Sequence, residues 1–161
     1  MKEIYPNLFI GSDDDYKFLS YDLKGWYIIH ACKEPYHRNA LRYVGRSAPK
    51  DHPEYLIAER DGHLILNLVD APDPSYIPKE IIDKALKTIN EKISNQKVLV
   101  HCNQGMSRSA VIGMLFLHLK GLLPDDFYEA EKKFLEIYPF YAPNNGMRMY
   151  ALNNWDNYGN Y

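Results

Sequence analysis

Cysteine is scarce in this sequence, which limits the metal sites and disulfides that the chain can form. Its 161 residues include two cysteines, Cys32 and Cys102, and six histidines. These side chains lack the paired spacing that is typical of a zinc site, so we expect no structural metal. At most one disulfide is open to the chain, which excludes a scaffold held together by several disulfides.

Long apolar runs and long basic runs are also missing. The longest apolar segment, Ala110 to Leu119, is far shorter than the roughly 20 residues that cross a bilayer, and the N-terminus lacks the pattern of a signal peptide. The net charge is -2 and no basic run exceeds two residues, so no nucleic-acid partner is indicated. We expect a cytoplasmic protein that does not insert into a membrane.

The residues that are present indicate an α/β protein. With 46% hydrophobic residues the chain can bury one substantial core, so we predict a single domain spanning residues 1–161. Alternating buried runs and amphipathic segments predict a central, mostly parallel twisted sheet flanked by helices on both faces. The predicted strands are two short pieces on either side of Pro6-Asn7, Trp26 to Ala31, Tyr55 to Glu59, a central strand from His63 to Val69 ending at Asp70, and Val98 to Val100. The predicted helices are Asp13 to Leu19 behind a Ser12 cap, a helix opened by Pro78, Val111 to Leu119, and Asp125 to Tyr138 with Leu135 among its inward residues.

Ten residues between two apolar runs carry the chemistry. His101 to Ala110 reads H-C-N-Q-G-M-S-R-S-A, after the run Val98 to Val100 and before the run Val111 to Leu119. A strand should therefore lead into a tight loop, and the loop into a buried helix. In such a loop the backbone N–H groups point towards one centre, which binds a phosphate dianion. The phosphate-binding residues predicted on this basis are Asn103, Gln104, Gly105, Met106, Ser107 and Arg108.

Each residue type in the loop has a chemical reason to be there. Converging N–H dipoles at a helix N-terminus lower the pKa of a thiol, which makes Cys102 a candidate nucleophile. Arg108 offers a planar guanidinium that matches two phosphoryl oxygens. The Ser109 hydroxyl can hydrogen-bond the sulfur and help it leave, and His101 is expected to orient the loop rather than to transfer a proton. Gly105 supplies backbone freedom, including positive φ.

The loop resembles the C-x5-R signature of the cysteine-dependent phosphatases. Ser107-Arg108-Ser109 resembles the S-R-S ending of their dual-specificity branch. This resemblance implies a protein tyrosine phosphatase-like fold and hydrolysis of phosphotyrosine and phosphoserine or phosphothreonine through a phosphocysteine intermediate. It further implies a phosphoprotein substrate, no cofactor and a monomer.

The same resemblance implies an acid on an earlier loop that protonates the leaving group. Asp70 lies 32 residues ahead of Cys102 and Asp73 lies 29 residues ahead. Asp70 follows the predicted strand directly and is the better match, while Asp73 is the alternative acid because it is more exposed on its loop. Either carboxylate could instead only cap a turn, and Asp73 before Pro74 suits that role.

Three other functions stay open. The substrate could be a non-protein phosphate ester, such as an inositol lipid, an RNA 5′ end or a sugar; the neutral side chains of Asn103, Gln104 and Met106 favour a protein. The chain could also be a phosphate-binding scaffold without turnover. A redox or arsenate-reducing thiol protein would usually need a second cysteine close in sequence to Cys102, which this chain lacks.

Cys32 is a possible redox partner of Cys102. It ends a strand predicted to run parallel to the one before Cys102, so both sulfurs could lie at one sheet edge. Ala31-Cys32-Lys33-Glu34 also resembles the segment around the partner cysteine of the phosphatase and tensin homologue. The alternative is that Cys32 is a small packing residue.

Overall fold

A computed structural model describes residues 1–159 of the chain, which form one mixed sheet with helices on both faces. The strands are β1 (Lys2–Tyr5), β2 (Leu8–Gly11), β3 (Trp26–His30), β4 (Ile57–Arg60), β5 (His63–Leu66) and β6 (Lys97–His101). The helices are α1 (Asp13–Leu19), α2 (Arg38–Leu41), α3 (Lys79–Lys92), α4 (Arg108–Leu119), α5 (Phe127–Ile137) and α6 (Asn145–Asn154). Across residues 1–159, no helix has the length and apolar character needed to cross a membrane.

The sheet has a parallel centre and antiparallel edges. Its strand order is β1-β2-β6-β3-β5-β4, and β2, β6, β3 and β5 pair in parallel. The two edge pairs, β1 with β2 and β4 with β5, are antiparallel. The predicted α/β class and mostly parallel sheet are therefore confirmed. Because β6 lies inside the sheet with a partner on each side, the loop that follows it starts from a fixed point.

The predicted central strand from His63 is shorter than the sequence indicates. β5 has β3 and β4 on its two sides, but it ends at Leu66 and not at Asp70. Beyond Leu66 the backbone finds other partners: the Leu68 carbonyl accepts hydrogen bonds from the Lys33 N–H and from the Arg108 guanidinium. These contacts take the place of the hydrogen bonds that a longer β5 would make. They direct the chain towards the segment His101 to Ala110, which we call the phosphate loop.

Alternate residues of the central strands face different layers. Val98 and Val100 of β6, with Leu8 and Ile10 of β2, belong to the main apolar core, which they share with residues of α3 to α6. On the opposite face, Tyr16 of α1 packs against histidines of the sheet. The main core therefore fixes one side of the sheet, and a smaller polar layer lies beneath α1.

Helix boundaries follow their capping residues. Ser12 and Asp15 form the capping box that begins α1, so the helix predicted from Asp13 to Leu19 is confirmed at both ends. The helix predicted from Asp125 begins instead at Phe127, because the Asp126 side chain accepts the Glu129 N–H as its cap. Leu135 was expected to face the core, but it is exposed because Phe134, one residue earlier, occupies the buried face.

Candidate active site

The loop predicted to bind phosphate connects β6 to α4 and rests on the junction between β2 and α1. The Cys102 N–H donates to the Gly11 carbonyl at 3.4 Å, and the Asp13 N–H donates to the Asn103 carbonyl at 3.2 Å. Gly105 has φ of +75°, and a Cβ there would lie 2.9 Å from the backbone of Gly11. A side chain at position 105 is therefore excluded both by the left-handed conformation and by the close approach of the β2 backbone.

The backbone of the loop leaves a set of donors for a ligand. Within residues 1–159, the N–H groups of residues 103–108 donate to no protein acceptor. These residues, apart from Gly105, line a cleft of about 330 Å³ together with Asp70, Cys102 and Asn144. Several N–H dipoles at the start of α4 provide the electrostatic environment that an oxyanion requires.

Arg108 is buried beside this cleft and is held in place by two hydrogen bonds. Its Nη1 donates to the Leu68 carbonyl at 3.0 Å, and its Nη2 donates to Asn103 Oδ1 at 2.6 Å. Its Nε is buried and has no acceptor in the described part of the chain. A buried guanidinium with a donor to spare, in a loop of unused N–H groups, matches the needs of a bound dianion.

Cys102 lies at the base of the cleft, where 2% of its surface is exposed. Ser109 Oγ is 3.2 Å from its sulfur, and the Ser109 N–H points at the same sulfur from 3.5 Å. The Ser109 hydroxyl is also 3.2 Å from the Gly11 carbonyl. The structure therefore places both groups where they can donate to a thiolate. His101 is fully buried next to Cys102, and burial is the main cause that lowers its pKa to about 4.

The two candidate acids have different surroundings. Asp70 lines the cleft, accepting from Ser107 Oγ at 2.9 Å through one carboxylate oxygen and from Asn144 Nδ2 at 2.7 Å through the other. Asp73 caps a short 3-10 turn, Pro74–Tyr76, by accepting the Ser75 N–H at 2.8 Å. That bond lowers the pKa of Asp73. Asp73 is not among the residues that line the cleft.

A segment that motif reasoning did not assign to the site supports the loop from the C-terminal side. The Tyr138 hydroxyl donates to the Gly105 carbonyl at 2.6 Å, and the Ala142 N–H donates to the Met106 carbonyl at 2.9 Å. The Asn144 N–H donates to Ser107 Oγ at 3.0 Å. We call residues 138–144 the bracing segment. In the sequence, residues 138–147 resemble the segment that precedes the last helix of the cysteine-dependent phosphatases, but that resemblance does not reveal these partners.

Cys32 and Cys102 are both free and buried. β3 ends at His30 and not at the predicted Ala31, so Cys32 lies two residues beyond the strand, and no part of its surface is exposed. Burial raises the pKa of its thiol, and the nearby charges that act on it include those of Arg108 and Cys102. Residues 1–159 contain no group of three or more metal-ligating side chains that could hold an ion.

Comparison with known proteins finds curated relatives that are named as phosphatases. No protein-family model matches the chain. It is 33% identical over 103 residues to the rice (Oryza sativa subsp. japonica) protein "Inositol diphosphatase DSP2", a match covering 63% of this chain and 44% of that protein. It is 28% identical over 151 residues to mouse dual specificity protein phosphatase 8, covering 89% of this chain and 19% of that protein. The chain thus spans less than half the length of these curated relatives.

Solved structures share the fold. The human tyrosine phosphatase-like serine/threonine/tyrosine-interacting protein superposes with a TM-score of 0.63 at 20% identity, covering 98% of this chain and 97% of that one. DUSP15 superposes with a TM-score of 0.64 at 19% identity, covering 98% of this chain and 89% of that one. The chain therefore has the fold of the dual-specificity phosphatases and resembles them in sequence.

Proposed function

We propose that this chain is a cysteine-dependent phosphatase of the dual-specificity type, acting on phosphotyrosine and on phosphoserine or phosphothreonine in proteins. One observation carries the proposal: the Cys102 sulfur lies at the base of a cleft ringed by unused N–H groups and the buried Arg108. When a phosphate ester is bound in the cleft, a nucleophile at that position faces its phosphorus atom, and the surrounding donors face its equatorial oxygens. Such preorganised donors are usually the largest source of catalysis in transfers of this kind.

The mechanism has two steps. In the first, the Cys102 thiolate attacks phosphorus in line, the Arg108 guanidinium and the loop N–H groups stabilise the equatorial oxygens, and Asp70 protonates the departing oxygen. A phosphocysteine is left. In the second, Asp70 acts as base and takes a proton from water, the water oxygen bonds to phosphorus, and the sulfur leaves as thiolate with Ser109 donating a hydrogen bond to it. Phosphate is released, and no cofactor enters either step.

Several further features belong to the same proposal. The neutral side chains of Asn103, Gln104 and Met106 suit a phosphoprotein better than a highly charged lipid headgroup. A thiolate nucleophile stays active in a reducing compartment such as the cytoplasm. We also propose that the chain acts as a monomer, and that Cys32 is the residue that forms a disulfide with oxidised Cys102. Mass mapping after mild peroxide treatment detects that disulfide if it forms.

A second substrate class has an observation in its favour. The rice relative is named an inositol diphosphatase, and it matches 63% of this chain. An inositol phosphate would use the same nucleophile and the same cradle, so the site's geometry accepts either substrate. The relative rates of hydrolysis of a phosphopeptide and an inositol phosphate therefore have to distinguish the two substrate classes.

The test compares four substrates with one enzyme: a phosphotyrosine peptide, a phosphothreonine peptide, an inositol phospholipid and a 5′-triphosphorylated RNA. We expect both peptides to be hydrolysed, the phosphotyrosine peptide faster. Cys102→Ser should lose all turnover yet bind inorganic phosphate, because the N–H cradle survives, while the matched variant Cys32→Ser should keep its activity. Preference for the lipid or the RNA over both peptides would reject the protein substrate. Full activity in Cys102→Ser would reject the mechanism, and no turnover by the wild type would leave a phosphate-binding scaffold.

A further inference from the structure

Three histidines form a hydrogen-bonded row beneath the phosphate loop. His101, His30 and His63 lie on the neighbouring strands β6, β3 and β5 and face the same side of the sheet. His30 Nδ1 is 2.7 Å from His101 Nε2, and His30 Nε2 is 2.9 Å from His63 Nδ1. Both separations are within hydrogen-bonding distance, so one proton lies between each pair of rings.

Aromatic rings isolate this row from solvent. The Tyr16 ring stacks on the His101 ring with centroids 5.0 Å apart, and the Tyr36 ring stacks on the His30 ring with centroids 4.6 Å apart. His30 and His101 are 2% and 0% exposed, whereas His63 at the end of the row is half-buried. The polar atoms of the two buried rings, His30 and His101, must therefore find partners within the protein.

All three imidazoles are neutral near pH 7. Burial lowers the pKa of His30 to about 2 and that of His101 to about 4. Burial also lowers the pKa of His63, with Asp61 acting in the opposite direction. A neutral imidazole carries one N–H and one lone pair, so the direction of each hydrogen bond depends on the tautomer of every ring.

The surroundings of His101 determine that direction. Its Nδ1 is 3.6 Å from Asp13 Oδ1, and the Cys102 backbone stabilises a proton on the ring. Nδ1 reaches no acceptor with good hydrogen-bond geometry among residues 1–159. The reverse tautomer would point a lone pair at the Asp13 carboxylate, whereas a proton on Nδ1 is attracted to it. With the proton on Nδ1, His101 Nε2 is a lone pair that accepts from His30.

The tautomer of His101 then fixes the tautomers of His30 and His63. His30 donates from Nδ1 to His101, so its Nε2 is a lone pair and accepts from Nδ1 of His63. Every ring consequently carries its proton on Nδ1, and the only free lone pair is on Nε2 of His63, the half-buried ring. The three tautomers form one unit because reversing either hydrogen bond requires the other to reverse.

We propose that His30 and His63 are positioning residues that hold His101 as the Nδ1–H tautomer and aim that N–H dipole at the base of the phosphate loop. In that tautomer the positive end of the dipole faces the Asp13 carboxylate and the Cys102 backbone, and a positive dipole close to Cys102 favours its thiolate over the thiol. Because Cys102 acts as a nucleophile only in the proposed phosphatase function, the catalytic value of the row rests on that function. The two histidines contact neither phosphate nor sulfur and act through His101.

Other charged groups near the row each affect the pKa of one histidine. Arg108 and Asp15 act on His101 in opposite directions, and Asp13 also accepts a hydrogen bond from the Tyr36 hydroxyl. The pKa values of Tyr16 and Tyr36 lie above the ordinary value of 10, so these phenols stay neutral around pH 7. Neither phenol therefore changes the charge around the row near neutral pH.

The test replaces His30 by Phe, which keeps a ring between Tyr16 and Tyr36 but removes both hydrogen bonds. It is done in a Cys32→Ser background, so that iodoacetamide reports Cys102 alone. We expect ¹⁵N shifts of His101 to change from the Nδ1–H pattern to a mixture of tautomers. The pH midpoint of alkylation should rise by roughly one unit, since the His101 dipole that favours the thiolate is no longer held in one orientation. His118→Phe is the matched control, since His118 is buried in α4 and stacks on Trp155 away from the loop.

The results of this test distinguish a failure of the histidine-row proposal from a failure of the phosphatase function. If His30→Phe fails to fold by circular dichroism, His63→Phe at the half-buried end of the row provides the same measurement. An unchanged His101 tautomer and alkylation midpoint in the folded variant would overturn the proposal, as would an equal shift in His118→Phe. Neither readout requires turnover. If the wild type hydrolyses no phosphate ester, but His30→Phe still changes the His101 tautomer and the alkylation midpoint, the proposed role of the histidine row is supported and the phosphatase function is rejected.

Discussion

Asp70 and Asp73 are three residues apart, but their hydrogen bonds differ. Asp70 binds Ser107 and Asn144, both of which line the cleft with it. Asp73 caps the turn that follows and, within residues 1–159, hydrogen-bonds to Ser75 of that turn. A leaving-group acid must reach the departing oxygen, so position favours Asp70.

Replacing these carboxylates one at a time separates the two candidates. We expect Asp70→Asn to slow an alkyl phosphate by about two orders of magnitude or more and an activated aryl phosphate far less, since a good leaving group needs no proton. The basic limb of the kcat profile should also flatten. Asp73→Asn is the matched control and should alter stability slightly through its cap. The reverse pattern, with Asp73→Asn dependent on the leaving group, would identify Asp73 as the acid.

At the scale of elements, the bracing segment of residues 138–144 holds the phosphate loop from outside. Its contacts to Gly105, Met106 and Ser107 involve three consecutive residues of the loop. A loop whose N–H groups are unused has little internal hydrogen bonding, so its shape depends on such external partners. The bracing segment therefore contributes to the preorganisation of the cradle.

Tyr138→Phe tests this contribution by deleting one hydroxyl. The Gly105 carbonyl would lose its partner, which should cost about 1 kcal/mol of unfolding free energy and loosen the cradle. We expect kcat/KM for an aryl phosphate to fall by about tenfold, together with the affinity for inorganic phosphate. Tyr141→Phe is the matched control, because its hydroxyl binds Glu131 and not the loop. Equal kinetic losses in the two variants would show that the Tyr138 hydroxyl has no special role.

At the scale of the whole molecule, the histidine row links folding to pH. The folded-state pKa values of His30 and His101, about 2 and about 4, lie below the unfolded value near 6.5. The unfolded chain thus binds more protons below pH 6.5, and stability falls as pH decreases. The full contribution is present above pH 6.5 and is lost progressively towards pH 4 for His101 and lower for His30.

Denaturant unfolding between pH 4.5 and 7.5 measures this effect. Each buried neutral histidine should add a slope of about 1.4 kcal/mol per pH unit to the free energy of unfolding below pH 6.5. His30→Phe should remove one such contribution. Tyr16→Phe, which changes the same layer without removing a histidine, should keep the wild-type slope. A slope in His30→Phe equal to that of the wild type would mean that His30 is protonated in the folded protein at these pH values.

Much of the architecture could be predicted from local patterns. The α1 cap and the strands around Pro6-Asn7 depend on residues close in sequence, whereas α4 begins at Arg108, three residues before the predicted Val111. The errors occurred where distant partners decide. β5 ends early because Leu68 binds Lys33 and Arg108, and Leu135 faces solvent because Phe134 occupies the space against the core.

By itself the sequence determined the chemistry of the phosphate loop, because the spacing of Cys102, Gly105 and Arg108 is local and a strand, a loop and a helix are implied by the flanking runs. Only the tertiary structure decided which partners surround that loop. The hydroxyl of Tyr138 and the row of His30 and His63 come from separate elements, and their contacts depend on sheet order and register. Hydrophobic periodicity reports which face of an element is buried, but not which polar atoms of other elements it meets there.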